Sequence, residues 1–316
     1  MRVVFMSENG LVGQPVEDVV ETVVDRGDGA DPKAIRERLD PVTDDGVVTR
    51  EAVETAVSDT SKVVATAETR TELAAIAYED ATAAAATVDD LEIVATRLDR
   101  YADRLESVEA RARDLAADLQ TPVEQLDDPN AIYELATELR DVATTAQGVI
   151  RTADELSQAL EEFESWLTEP DRRYDAFTED IDLVDESVAE LTTAADALST
   201  DSETPAADWA DATMRVHVLE LLVADLRAEV ADLRVWADRE NTEFRVGLDE
   251  RIADVERKTA ELKTRLAERA EPVWHDRFDD PLSTFQAELD EFEPPVDWSR
   301  VQETLQERRE QTFDTS

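Results

Sequence analysis

Residues 209–233 read WADATMRVHVLELLVADLRAEVADL. Trp209, Val216, Leu219, Val223, Leu226, Val230 and Leu233 fall on a ladder of three- and four-residue steps, which puts every one of them on a single stripe of an α-helix. The same ladder runs through Leu91, Val94, Leu98, Tyr101, Leu105, Val108, Ala112, Leu115 and Leu119. It recurs from Ile132 through Leu139, Val142, Val149, Leu156 and Leu160 to Leu167, and again through Tyr174, Phe177, Ile181, Val184, Val188, Leu191 and Leu198. Long helices packed side by side follow from this spacing. The fold class it predicts is all-α: an elongated antiparallel helical bundle or coiled coil with a small N-terminal helical head.

Breaks between the ladders divide the chain. Five of the seven glycines lie before residue 50, and no proline occurs between Pro41 and Pro122 or between Pro205 and Pro272. We therefore expect a helix-turn-helix-like head over 1–60, a long-helix bundle over 61–270, and an aromatic-rich tail of two short helices over 271–316. In the head, Pro15–Val24 reads as a first helix. Asp31-Pro32 supplies a cap and first-turn proline for a second helix ending at Leu39. Asp44-Asp45-Gly46 is a tight turn, Val47-Val48 an extended pair, and Thr49 the cap of a third helix to Val57.

In the bundle, Thr69-Arg70-Thr71-Glu72 fits a capping box that opens helix A, running to about Gln120. Helix B is expected from about Pro129 to Thr168. Glu169-Pro170-Asp171 should reverse the chain or kink it before helix C, which ends near Leu198. A polar loop over 199–205 precedes helix D, about Ala206 to Ala270. Its ladder slips by one residue before Leu248, Ile252, Val255, Leu262 and Leu266, which requires unwinding, a bend or a break near Glu240-Asn241-Thr242 or Gly247. Alanines at e positions (Ala95, Ala102, Ala116, Ala136, Ala143) widen the stripes beyond a two-stranded seam, so each helix should face more than one neighbour. A homodimer through helix D remains open.

The tail holds Trp274, Phe278, Phe285, Phe292, Trp298 and Phe313. Its expected helices are Pro281–Phe292 and Asp297 to about Gln311, either folded back onto the rest of the chain or offered to a partner.

Charge speaks to solvent. Asp and Glu number 78 against 32 Lys and Arg, for a net charge of -46, and only Lys33, Lys62, Lys258 and Lys263 are lysines. Such a surface suits molar salt, where the Debye length falls to roughly 3 Å and self-repulsion is screened. It argues against broad binding to nucleic acid or anionic lipid. In the head, 13 acidic residues face Arg26, Lys33, Arg36, Arg38 and Arg50 between Gln14 and Thr60, so a DNA-contacting third helix would have Arg50 as its only cation.

The chain has no cysteine, hence no disulfide or thiolate site. No apolar run is long enough to span a membrane, so no membrane insertion and a cytoplasmic location are the expectation. Met6, just before the polar Ser7-Glu8-Asn9, is the expected true initiator. Phosphate-cradling glycine loops and a Glu-x-x-His pair are absent from the sequence. Pro41–Ala52 looks like a calcium loop through Asp44, Asp45 and Gly46, but its first and twelfth positions are Pro41 and Ala52, which cannot ligate. The two histidines are His217, at an exposed b position of helix D, and His275, beside Asp276 and Asp279 in a helix start. The expected catalytic, cofactor-binding and metal residues are none, and the expected cofactors none.

The head segment Asp44-Asp45-Gly46-Val47-Val48-Thr49-Arg50-Glu51-Ala52-Val53, followed by Ser61-Lys62-Val63-Val64, Thr69-Arg70 and acidic Ala-rich helices, resembles a group of haloarchaeal proteins that carry the label "halo transducer protein". Transducers proper have membrane helices or a signalling hairpin tip rich in Glu, Ala, Gln and Gly. The sequence shows neither, so the resemblance carries over no functional residue. The expected function is a non-enzymatic cytoplasmic coiled-coil scaffold or signalling adaptor working through protein partners. The alternative is a DNA-associated regulator with a helix-turn-helix-like head and a dimerising rod.

Overall fold

The computed structural model describes residues 11–25, 31–120, 131–198 and 204–313. Among these the protein is all-α, with ten α-helices and one two-residue hairpin. The helices are α1 (Val16–Asp25), α2 (Pro32–Leu39), α3 (Arg50–Ala85), α4 (Glu92–Asp118), α5 (Ile132–Thr168), α6 (Pro170–Ala197), α7 (Pro205–Glu240), α8 (Leu248–Arg269), α9 (Pro272–Leu289) and α10 (Trp298–Phe313). The strands β1 (Thr43–Asp44) and β2 (Val47–Val48) lie between α2 and α3. Expectations for Met6, for the start of helix B at Pro129 and for the first part of the 199–205 loop lie outside the described residues. The chain divides into two compact units, Met1–Ala84 with Leu98–Glu164, and Ala85–Arg97 with Ser165–Ser316.

In the first unit the local signals of the head hold. Asp31 caps α2 by accepting the Lys33 amide at 3.2 Å, and the Ala52 amide donates to Thr49 Oγ1 at 3.1 Å. Asp45 and Gly46 both have positive φ, 47° and 79°, as a two-residue hairpin turn requires, and the pairing Thr43↔Val48 and Asp44↔Val47 closes it. The supposed calcium loop is this hairpin. The head's core is not its own: Val19, Ile35, Leu39, Val42 and Val48 pack with Ile132, Leu135, Ala136 and Leu139 of α5. Arg38 reaches the Tyr133 hydroxyl at 2.9 Å.

The third helix does not stop at Val57 but continues to Ala85. Its buried stripe is Thr60, Val64, Ala67, Thr71, Ala74, Ala81 and Ala85, a seam of small side chains with little hydrophobic contrast. Thr69 caps nothing: its hydroxyl donates to the Ala65 carbonyl at 2.9 Å, inside the helix.

Helix A is therefore two helices, and the break falls at 86–91 rather than at 69. Val88 and Leu91 are buried there, and the apolar ladder begins at Leu91, just before α4. Side chains of α7 hold the break: Arg239 meets the Asp90 carboxylate at 2.5 and 2.8 Å, and Asp232 accepts the Ile93 amide at 3.0 Å.

The second unit is organised by α8, whose buried Leu248, Ile252, Val255, Thr259, Leu262 and Leu266 alternate by four and three. Ion pairs flank that stripe on both sides. Asp249, Glu256 and Lys263 meet Arg234, Arg227 and Glu220 of α7 at 2.5, 2.8 and 2.8 Å. Partners step seven residues up one helix and seven down the other, so α7 and α8 are antiparallel. On the opposite flank Arg251, Lys258 and Arg265 meet Asp182, Asp185 and Asp196 of α6. Here the numbers rise together, so α6 and α8 are parallel. These are the e and g positions of a heptad whose a and d side chains form the core.

Helix D is thus broken, at the segment its phase slip marked. Asn241 (φ 53°) ends α7 in the left-handed conformation and Gly247 (φ 93°) precedes α8. Between them, Phe244 packs edge-on against Tyr174 at 5.8 Å, and Arg245 pairs with Asp175 at 2.6 Å. At the α5–α6 junction Glu169 alone leaves the helical region (φ −111°, ψ 102°).

The tail folds back onto α7. α9 begins at Pro272, nine residues before the expected start, and carries Pro281 inside it. The first-turn proline is Pro272. Trp274, Phe278 and Phe285 are buried, and Phe278 meets Phe313 of α10 at 6.1 Å.

Candidate functional site

α7 is buried on more than its heptad stripe: Ala210, Met214 and His217 are buried too. His217 is therefore not exposed. The b position faces solvent only where nothing covers it, and here α9 does. Between α7, α8 and α9 lies a cleft of about 420 Å³, lined among others by Trp209, Thr213, His217, Lys263, His275 and Asp279. The structure thus brings together the chain's two histidines, 58 positions apart, which no local sequence signal associates.

Each imidazole is oriented by a carboxylate. His217 Nδ1 lies 3.1 Å from Glu220 and His275 Nδ1 lies 2.8 Å from Asp279. A carboxylate only accepts, so in each pair Nδ1 is the donor. Glu220 also accepts Lys263 Nζ at 2.8 and 2.9 Å. The His217 hydrogen bond, with Lys263 behind it, holds the Glu220 carboxyl below its usual range against the opposing effect of burial. Trp209 closes one end: its indole donates to the Leu266 carbonyl at 3.0 Å, and its ring meets His275 edge-on at 5.2 Å. Asp276, grouped with His275 in the sequence reading, does not line the cleft.

Further along α7, Asp225, Glu229 and Asp232 stand at i, i+4 and i+7 on one face; Asp225 takes the connection before α10, and Glu229 and Asp232 take α4. Asp225 accepts the Val296 amide at 3.1 Å and the Trp298 indole at 2.9 Å. Asp232 holds the first turn of α4, and Glu229 meets Arg97 at 3.2 Å. Arg97 also stacks over Trp166, 4.0 Å from the ring centroid. Burial pushes the Glu229 carboxyl up to about 7; Arg97 opposes this, while Asp180, Asp225 and Asp232 add to it. Asp180, on α6, is likewise raised by burial.

Near the far end of α7, Arg173 is 3% exposed. It donates to the Leu167 carbonyl at 2.7 Å and to Glu240 at 2.6 Å, and lies 3.9 Å over Trp236. Arg50, the one cation of the supposed recognition helix, pairs with Glu54 at 3.2 Å. Among the described residues no group of three or more His, Asp or Glu is placed to hold a metal ion, and no helix is long and apolar enough to cross a membrane. Sequence reasoning missed Glu229 and Arg173 because their partners are 132 and 67 positions away. Comparison with protein-family models, with curated proteins and with solved structures finds no match.

Proposed function

We propose that the chain is a non-enzymatic cytoplasmic scaffold or signalling adaptor of a halophile, an elongated helical bundle that works through protein–protein contacts. The supporting observation is the double flank of α8. Its charged side chains at 249, 251, 256, 258, 263 and 265 hold neighbouring helices in register, as in a structural rod. Large apolar side chains stand exposed on the second unit, Leu183 at 61%, Val246 at 95% and Val273 at 61%. On a chain of this charge such residues are candidates for contact with partners.

The test is affinity capture of the full chain in a halophilic host, washed in molar KCl, with the partners identified by mass spectrometry. A reproducible protein partner, lost when Leu183 and Val273 are changed to Glu, is expected. Retention on specific DNA that depends on Arg50, with no protein partner, would overturn the reading in favour of the regulator.

A further inference from the structure

α10 is attached differently from the helices it lies on. Of its 16 residues only Val301 is buried, whereas α9 buries Trp274, Phe278, Leu282, Phe285 and Leu289. A helix with so little buried apolar surface sits at the low end of a protein's local stabilities. What fastens it is polar, and each fastening is a donor of α10 or of its connection on a carboxylate of α7 or α9. Asp225 gives one oxygen to the Val296 amide at 3.1 Å and the other to the Trp298 indole at 2.9 Å. Arg308 Nε donates to Glu288 at 2.7 Å, and Arg309 lies 2.7 Å from Asp211. Phe313, the last residue of α10, meets Phe278 of α9. With three arginines against three glutamates, α10 is neutral on a chain of net charge -46, and its arginine pair sits on acidic neighbours.

We propose that α10 is a displaceable strap, and that the groove it leaves on α7 and α9 docks an amphipathic helix of a protein partner. When α10 lifts, the half-buried Asp211, Asp225 and Glu288 lose their donors together, and Phe278 loses the ring of Phe313. A half-buried carboxylate without a donor is destabilising. The open groove therefore selects a replacement of the same chemistry. It needs an indole or amide donor for Asp225, guanidinium groups about three turns further on for Glu288 and Asp211, and an apolar side chain at the place of Val301. α10 displays that pattern itself in Trp298, Val301, Arg308 and Arg309. Strap and partner compete for one site, so the closed fraction lowers the partner's apparent affinity. The inference rests on the scaffold reading and names a docking site for it.

Hydrogen exchange read by mass spectrometry on the full chain, in about 1 M KCl, follows the strap directly. Amides of 301–313 are expected to exchange at least about tenfold faster than those of α8. Arg308→Ala with Arg309→Ala removes two fastenings from the strap and leaves the carboxylates of the groove in place. A fluorescent peptide of residues 296–313 should bind this variant roughly tenfold more tightly than the parent. The same peptide with both arginines changed to Ala should bind either protein roughly tenfold more weakly. Unchanged exchange of α8 verifies the fold of the variant. Equal exchange of α10 and α8, or a peptide that binds parent and variant alike, would overturn the proposal. So would a parent that is a dimer by light scattering and dissociates in the variant, since that puts the α10 of a second copy in the groove. These readouts need no cellular partner, so their failure is separable from a failure of partner capture.

Discussion

Glu229 on α7 and Arg97 on α4 meet at 3.2 Å, and the carboxylate is nevertheless easier to protonate than a free glutamate, with its pKa pushed up to about 7. Removal from water outweighs the one cation, because Asp180, Asp225 and Asp232 crowd the same space with charge of the same sign.

That relationship fixes a pH dependence. The folded-state value is above the reference of 4.5, so the native state holds the proton more tightly. The associated stability is fully present below about pH 4.5 and is lost as pH rises through about 7, by about 3 kcal/mol at most. Glu229→Gln should remove this dependence. In urea titrations at molar salt the variant should exceed the parent in stability above pH 7 and converge with it near pH 5. Parallel curves for the two proteins would refute the assignment.

Arg173 should be among the most sensitive positions of the second unit. Arg173→Ala leaves the Leu167 carbonyl and Glu240 without their donor and uncovers Trp236. A loss of about 3–5 kcal/mol is expected. Arg173→Lys keeps the charge but not the planar fork, so it should fall between the two. Urea midpoints of the three proteins check the order.

How far the sequence carried is instructive at α7 and α3. The heptad ladder of α7 and the slip before Leu248 are local signals, because side-chain phase shows directly in apolar spacing; the break at 241–247 lies where the slip required it. The continuity of α3 from Val57 into the segment after Thr69 was illegible, since Thr60 and Ala67 bury a face that looks like surface. The gap at 86–91 was hidden because its contacts are remote: Asp90 and the Ile93 amide bond to α7, more than 130 positions away. The cleft was invisible because His217 reads as exposed until α9 covers it. A ladder gives the phase of each helix, and only tertiary packing says which second face is covered.

The antiparallel register of α7 and α8 predicts compensation between Arg227 and Glu256, 2.8 Å apart. Arg227→Glu alone should destabilise, and Arg227→Glu with Glu256→Arg should recover the loss. The coupling is about 0.5 kcal/mol at low salt and disappears in molar KCl, since both side chains are partly exposed. A double-mutant cycle at two salt concentrations measures it.

Opposite signs are expected at the two ends of the 241–247 connection. Gly247→Ala places a side chain at φ 93° and should cost about 1 kcal/mol or more, although the space around it is open. Asn241→Gly relieves the left-handed residue at φ 53° and should be neutral or slightly stabilising. Thermal midpoints of the two variants decide the matter.

Salt acts on the whole chain. At a net charge of -46, lowering KCl below about 0.2 M should reduce helicity or broaden the unfolding transition as screening fails. Unchanged circular dichroism from low to molar KCl would show that the buried stripes outweigh the repulsion.

The central claim, that the protein acts by holding other proteins, is tested most directly by site-specific photo-crosslinking in a halophilic host, with a photoreactive residue placed in turn at Leu183, Val246 and Val273, all exposed. The account predicts a discrete crosslinked product containing a second protein from at least one of these positions and none from the buried control Val255. Absence of any crosslinked protein at all three exposed positions, with the fold intact, would contradict it.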